Sequence, residues 1–177
     1  FGCVDQGFET ISVYPLPLAN FTLEDAEFCA GGEVSLIDVS SVVDPSQIVQ
    51  WQWSLNGEMI GTGQELIQSL DDVGLYDVTL TVITNHGCIA DTTMVGELNV
   101  WPFPEANFNA ELSEFDLLNT TMVFEDQSLG ATNWSYHFGD GSFDNAQNVE
   151  HVYPAYGEYE VWLYVSNEFG CSHSVMQ

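Results

Sequence analysis

The 177 residues carry 27 Asp and Glu against no Lys or Arg, a formal net charge of −27 at pH 7, while 45% of them are hydrophobic. An average soluble chain is about 25% charged with both signs represented, so this balance belongs to the design of the chain. It argues against nucleic acid as a partner, because phosphate binding relies on Lys and Arg to release counterions, and against anionic membrane surfaces.

With four histidines as the only side chains able to pair with an acid, carboxylate repulsion has to be met by spacing, salt or bound cations. Calcium or magnesium is a candidate tenant. The 11 Phe, 7 Tyr and 5 Trp, together with many Val and Thr, favour strands over helices, so the expected class is all-β. No apolar run reaches the length of about 20 residues that a spanning helix requires, and membrane insertion is not expected.

Taken in chain order, the sequence repeats itself. Gly2-Cys3, Gly87-Cys88 and Gly170-Cys171 are three copies of one signal, with the cysteines 85 and 83 residues apart. After the first comes Tyr14-Pro15-Leu16-Pro17-Leu18-Ala19-Asn20-Phe21, matched after the second by Trp101-Pro102-Phe103-Pro104-Glu105-Ala106-Asn107-Phe108. Paired prolines make a stiff extended connector that cannot lie in a central strand, so each marks a module boundary. Residues 1–15 are then the last strand of a preceding module, or a donor strand.

The first module spans 16–100. Trp51, Trp53 and Leu55 alternate on a strand suited to the middle of a two-sheet core. Gly74 precedes a period-two run of Tyr76, Val78, Leu80 and Val82, with a turn over Asn85 to Gly87. The second module spans 101–177 and repeats the pattern with Trp134, Tyr136 and Phe138, then Gly157, Tyr159, Val161, Leu163 and Val165, then a turn from Asn167 to Gly170. A tyrosine two residues after glycine at this corner returns a hydrogen bond to nearby backbone in Greek-key sandwiches. The expectation is two tandem immunoglobulin-like β-sandwiches of about seven strands each, the second lacking its last strand.

Phe138-Gly139-Asp140-Gly141, His151-Val152-Tyr153 and the run from Gly157 to Asn167 resemble the PKD domain pattern W-D-F-G-D-G, H-x-Y, G-x-Y-x-V-x-L-x-V-x-N. Tyr136-His137 replaces the Trp-Asp. The first module is similar but degenerate, with Asn56-Gly57 in place of Gly-Asp-Gly. Tandem PKD modules with such connectors resemble those of very large bacterial surface adhesins exported by the type IX system. The resemblance implies a stalk, adhesin or filament and no catalysis.

Some PKD-like modules bind calcium near this turn, so Asp140 and Asp144, joined by Asp126 and Asn167, are candidate calcium ligands. The alternative is that Asp140 closes a local turn. His86 and His173 lie by turns, His137 points outward and His151 makes a structural hydrogen bond. No catalytic motif is present.

The four cysteines suit disulfides in an exported chain. Cys88 and Cys171 follow a turn at one end of their sandwiches, whereas Cys29 lies at the other, and a disulfide needs Cα atoms within about 7 Å. The favoured pairing is between modules, Cys29 to Cys171, with Cys3 and Cys88 paired to segments elsewhere or free. The alternative is four small buried hydrophobes without a bond.

Trp162 and Tyr164 alternate with the inward residues of their strand, so they form a candidate contact patch for a protein partner, a glycan or a neighbouring module; coverage by adjacent chain is the alternative. The expected function is a non-catalytic structural or adhesive module of an extracellular cell-surface fibre, with neighbouring modules or copies of itself as partners. The second reading is an accessory carbohydrate- or protein-binding module of a secreted hydrolase.

Overall fold

The structure, a computed structural model, describes residues 7–115 and 120–177. Chain contacts divide it into two compact units: one runs up to Ala26 and then over Val34–Gln68 and Leu75–Leu98, and the other holds Glu27–Glu33, Ser69–Gly74 and Asn99–Gln177. All regular elements among the described residues are strands.

In the first unit, β1 (Phe21–Glu24), β3 (Gly32–Asp38) and β6 (Glu65–Leu70) form a three-stranded sheet in the order β1-β3-β6. Facing residues come from β8 (Ile89–Trp101), β7 (Gly74–Thr84), β4 (Ile48–Leu55) and β5 (Glu58–Thr62), hydrogen-bonded in that order. The alternation expected of β7 is present, since Val78, Leu80 and Val82 are fully buried. Trp53 is equally buried, meets Phe21 edge-on at 5.3 Å, and donates its indole N–H to the Gly63 carbonyl at 2.9 Å. A buried indole needs such an acceptor, because an orphaned donor costs about 1–3 kcal/mol.

In the second unit, β2 (Glu27–Cys29) pairs in parallel with the Asn99–Trp101 end of β8. One sheet has the order β13-β10-β9, from β9 (Phe108–Phe115), β10 (Thr120–Asp126) and β13 (Val149–Tyr153). The other has the order β12-β11-β14-β15, from β11 (Asn133–His137), β12 (Phe143–Asp144), β14 (Trp162–Ser166) and β15 (Ser172–Met176). Phe108, Phe124, Tyr136, Phe138, Tyr153, Leu163 and Val165 fill one continuous core. Burial, with Asp126 nearby, pushes the Tyr136 phenol up to about 12, so it stays neutral at all physiological pH.

Two features depart from the sequence expectation. The second unit does possess a last strand, β15, because five residues beyond the turn already suffice to pair with β14. The strand before it is shorter than its repeat partner: β7 covers 11 residues from Gly74, whereas β14 covers 5, and Gly157–Val161 lie in no strand. The ladder stops where Gln177 exchanges both backbone bonds with Val161, each 3.0 Å. Residues 7–15, expected to be the last strand of a preceding module or a donor strand, are in no strand within the chain. The corner itself forms as expected, with the Tyr159 hydroxyl donating to the Ala155 carbonyl at 3.0 Å.

Gly139 fixes how the β11–β12 turn meets this region. Its φ is +79°, and an added Cβ would sit 2.8 Å from the Glu160 carbonyl oxygen and 3.0 Å from its nitrogen. Backbone cannot yield as a side-chain tip can. Gly139→Ala should therefore destabilise the protein by about 2 kcal/mol or more, read as a lower denaturation midpoint in urea.

Candidate functional site

The Asp140 turn is built from neutral donors and one imidazole. Asp140 Oδ1 accepts the Ser142 amide at 2.9 Å and also the Ser142 hydroxyl, while Oδ2 lies 2.8 Å from His151 Nε2. His151 stacks on Phe138 at 4.1 Å and meets Tyr153 edge-on at 4.5 Å, and the Tyr153 hydroxyl donates to the Phe138 carbonyl at 3.0 Å. The His-x-Tyr motif thus ties the glycine turn to the core. The Ser142 hydroxyl also lies 3.4 Å from His151 Nε2, so serine, histidine and aspartate form one hydrogen-bonded cluster around the turn. The Ser142 hydroxyl, helped by the Ser142 amide and His151, holds the Asp140 carboxyl down at about 2.

The four candidate calcium ligands are each occupied in separate local structures. Asp126 Oδ1 accepts the Ser128 amide at 3.0 Å and Oδ2 the Gln147 side-chain amide at 3.0 Å. Asp144 Oδ1 caps the Ala146 amide at 2.8 Å. Asn167 is buried, donates to the Pro102 carbonyl at 2.8 Å, and accepts from the amides of Phe169 and Cys171 at 3.1 and 3.0 Å. Among the described residues no three His, Cys, Asp or Glu come together as a group able to hold a metal ion. In each case the side chain bonds backbone two to four residues on, the ordinary behaviour of Asp and Asn in turns.

Cys29 and Cys171 are joined by a disulfide with Cα atoms 5.7 Å apart, closing a span of 142 residues. Both belong to the second unit, which counts Glu27–Glu33 among its segments. Beside the bond, Trp101 stacks on Phe169 with centroids 3.6 Å apart and planes 2° from parallel. In the chain-entropy model, closing so long a loop stabilises the fold by up to about 5 kcal/mol. Cys88 is a free, half-buried thiol; Cys3 lies outside the described residues.

The outer face of the β12-β11-β14-β15 sheet carries an aromatic row. Trp162 and Tyr164 stack at 5.9 Å, His137 meets Tyr164 edge-on at 5.2 Å and lies over Phe143 at 6.0 Å. Tyr164 is 46% exposed and Phe143 66%. Register explains the grouping, since His137 is opposite both Phe143 and Trp162 across its two neighbours. Sequence alternation located Trp162 and Tyr164; Phe143 was missed because β12 is only two residues long and has no periodicity to read.

Residues 99–177 match the PKD domain family. The PKD1 domain of Vibrio anguillarum Epp is 29% identical, the match covering 49% of this chain and 96% of that one with a TM-score of 0.40. An I-band fragment from titin is 11% identical over 93% of this chain and 65% of that one, with a TM-score of 0.52. The latter supports the fold alone, an immunoglobulin-like β-sandwich.

Asp140 gives a pH signature. Its folded carboxyl lies below the ordinary value of 3.8, so its contribution is fully present above that value and is lost as pH falls toward about 2. Asp140→Asn should lower the melting temperature at pH 7, and the gap from wild type should close between about pH 4 and pH 2. Scanning both proteins by calorimetry across that range checks it.

Proposed function

We propose that the chain is a non-catalytic structural and adhesive module of a large extracellular cell-surface fibre. The observation that carries this is the exposed aromatic row on the outer sheet of the PKD-matching repeat. Adjoining aromatic faces, Trp162 stacked on Tyr164, suit neutral, polyhydroxylated ligands or another apolar surface, and the net charge of −27 repels polyanions. The disulfide is consistent with an oxidising, extracellular location. With no Lys or Arg in the sequence, the module offers trypsin no cleavage site, which suits an exposed stalk. Tandem arrangement, export by a type IX system and partners among neighbouring modules or copies belong to the same proposal. The second reading, an accessory module of a secreted hydrolase, uses the same aromatic row and would be favoured by a catalytic domain elsewhere in the full-length gene.

Calcium enters the proposal as counter-charge to the acidic surface and not as a resident ion in a preformed cage. Calorimetric titration should then show no stoichiometric binding step, while the melting temperature rises gradually with added calcium and, with none added, is unchanged by chelator. A saturable one-to-one heat would contradict this.

The aromatic row is tested by replacing both rings. Trp162→Ser with Tyr164→Ser should abolish retention on immobilised neutral glycans and adhesion to glycan-coated surfaces while leaving the far-ultraviolet circular dichroism unchanged. Unaltered retention in the double variant would remove the row from the binding surface.

A further inference from the structure

The strand that carries Trp51 borders an open depression of about 470 Å³, lined by Val49, Gln50, Trp51, Gln52, Thr62 and Gly63, all within the first unit. Two register shifts shape it. One falls between Ile48 and Gln50 where β4 pairs with β7, so that Val49 and Gln50 are both exposed; the other falls between Trp53 and Ser54 where β4 pairs with the edge strand β5. Bulges re-aim side chains in this way. Gln52 then stands opposite Thr62 across the ladder. The Trp51 indole N–H donates to Asp38 Oδ2 at 2.7 Å while Asp38 Oδ1 takes the Ser40 amide at 2.9 Å, so the ring is fixed before any ligand arrives.

The corresponding strand of the second repeat satisfies its polar groups internally. With Trp134 as the match of Trp51, Asn133 stands for Gln50 and Ser135 for Gln52. Asn133 donates to the Thr132 and Ser166 hydroxyls at 3.1 and 3.4 Å, and the Ser135 hydroxyl lies 3.4 Å from His137 Nε2. Gln50, Gln52 and Thr62, by contrast, are exposed, and their side chains take no hydrogen bond among the described residues. Amide and hydroxyl side chains both donate and accept, which is what sugar hydroxyls require.

Charge selects the ligand class. The chain has 27 acidic residues, yet none lines the depression, and Asp38, bonded to Trp51, has both oxygens engaged. A cationic ligand would find no lining carboxylate to pair with, and an anionic one would enter the field of the whole chain with no cation to receive it. What remains is neutral, hydroxyl-rich and partly apolar, and the volume falls within the range of about 300–1,000 Å³ usual for small-ligand clefts. We propose that this depression is a saccharide-binding site, in which Trp51 and Val49 meet the apolar face of a neutral pyranose while Gln50, Gln52 and Thr62 bond its hydroxyls. It stands on the first unit alone and does not depend on the aromatic row of the second.

The test uses the 177-residue protein with Trp162→Ser and Tyr164→Ser, so that the aromatic row contributes nothing. A single open site holds sugar too weakly for retention on a column, so binding is read in solution. Protein labelled with fluorotryptophan is titrated with maltohexaose, cellohexaose or xylohexaose to millimolar concentration and followed by fluorine magnetic resonance. The Trp51 signal, assigned with Trp51→Phe, should shift saturably with at least one of the three. Gln50→Ala with Gln52→Ala should weaken that binding at least about tenfold, since two hydrogen bonds are lost, and Thr62→Glu should do the same by adding a carboxylate. All three positions are exposed, so these variants keep the fold, which circular dichroism checks. No saturable shift with any of the three sugars, equal affinity in the alanine variant, or an equal response to hexagalacturonate, an acidic control, would overturn the site. The readout is indifferent to whether the aromatic row itself binds glycan.

Discussion

Everything in this fold answers to the absence of basic side chains. Among the described residues the one ion pair is between His151 and Asp140, so each structured carboxylate has to be held by amides, hydroxyls and indoles. Asp38 accepts the Ser40 amide at 2.9 Å and the Trp51 indole at 2.7 Å. Asp77 accepts the Gly96 amide at 2.9 Å. Neutral donors satisfy a carboxylate without adding a competing charge, but they also leave its negative charge in place. Among the described residues repulsion is therefore largely uncancelled, and cohesion rests on backbone ladders, aromatic cores and a disulfide.

The repeats show how the same geometry is reached with different chemistry. Thr84 and Asn167 occupy the same place before a Gly-Cys turn, and each offers a side-chain oxygen to the cysteine amide, at 3.1 and 3.0 Å. Tyr14 stacks on His86 in one repeat and Trp101 on Phe169 in the other, both with centroids 3.6 Å apart. The aspartates that end β3 and β10 diverge further. Asp38 takes the Trp51 indole, whereas Asp126 takes Gln147, and the buried Trp134 indole is left with no hydrogen-bond partner. That unpaired donor carries a cost of about 1–3 kcal/mol, absorbed elsewhere in a core with more rings.

How much was legible in the sequence follows from which forces are local. Period-two runs such as Val78, Leu80 and Val82 specify a strand and its buried face, and the repeated Gly-Cys and Pro-x-Pro signals specify where the pattern restarts. Turn chemistry was ambiguous: Asp140, Asp144 and Asn167 carry the oxygens that calcium needs, and only tertiary placement shows that each is engaged by nearby amides. Strand length was not readable at all. Tyr159 and Val161 have the same alternation as Tyr76 and Val78, yet they lie outside β14, because a ladder is made by two partners and alternation reports only one of them.

Uncancelled charge also bears on every exposed sheet edge. An edge with unpaired backbone accepts strands indiscriminately unless something selects among them, and lysines or inward charges commonly supply the selection. Here only carboxylates are available for that purpose, and any acidic strand that approaches adds like charge to a surface with no Lys or Arg to receive it.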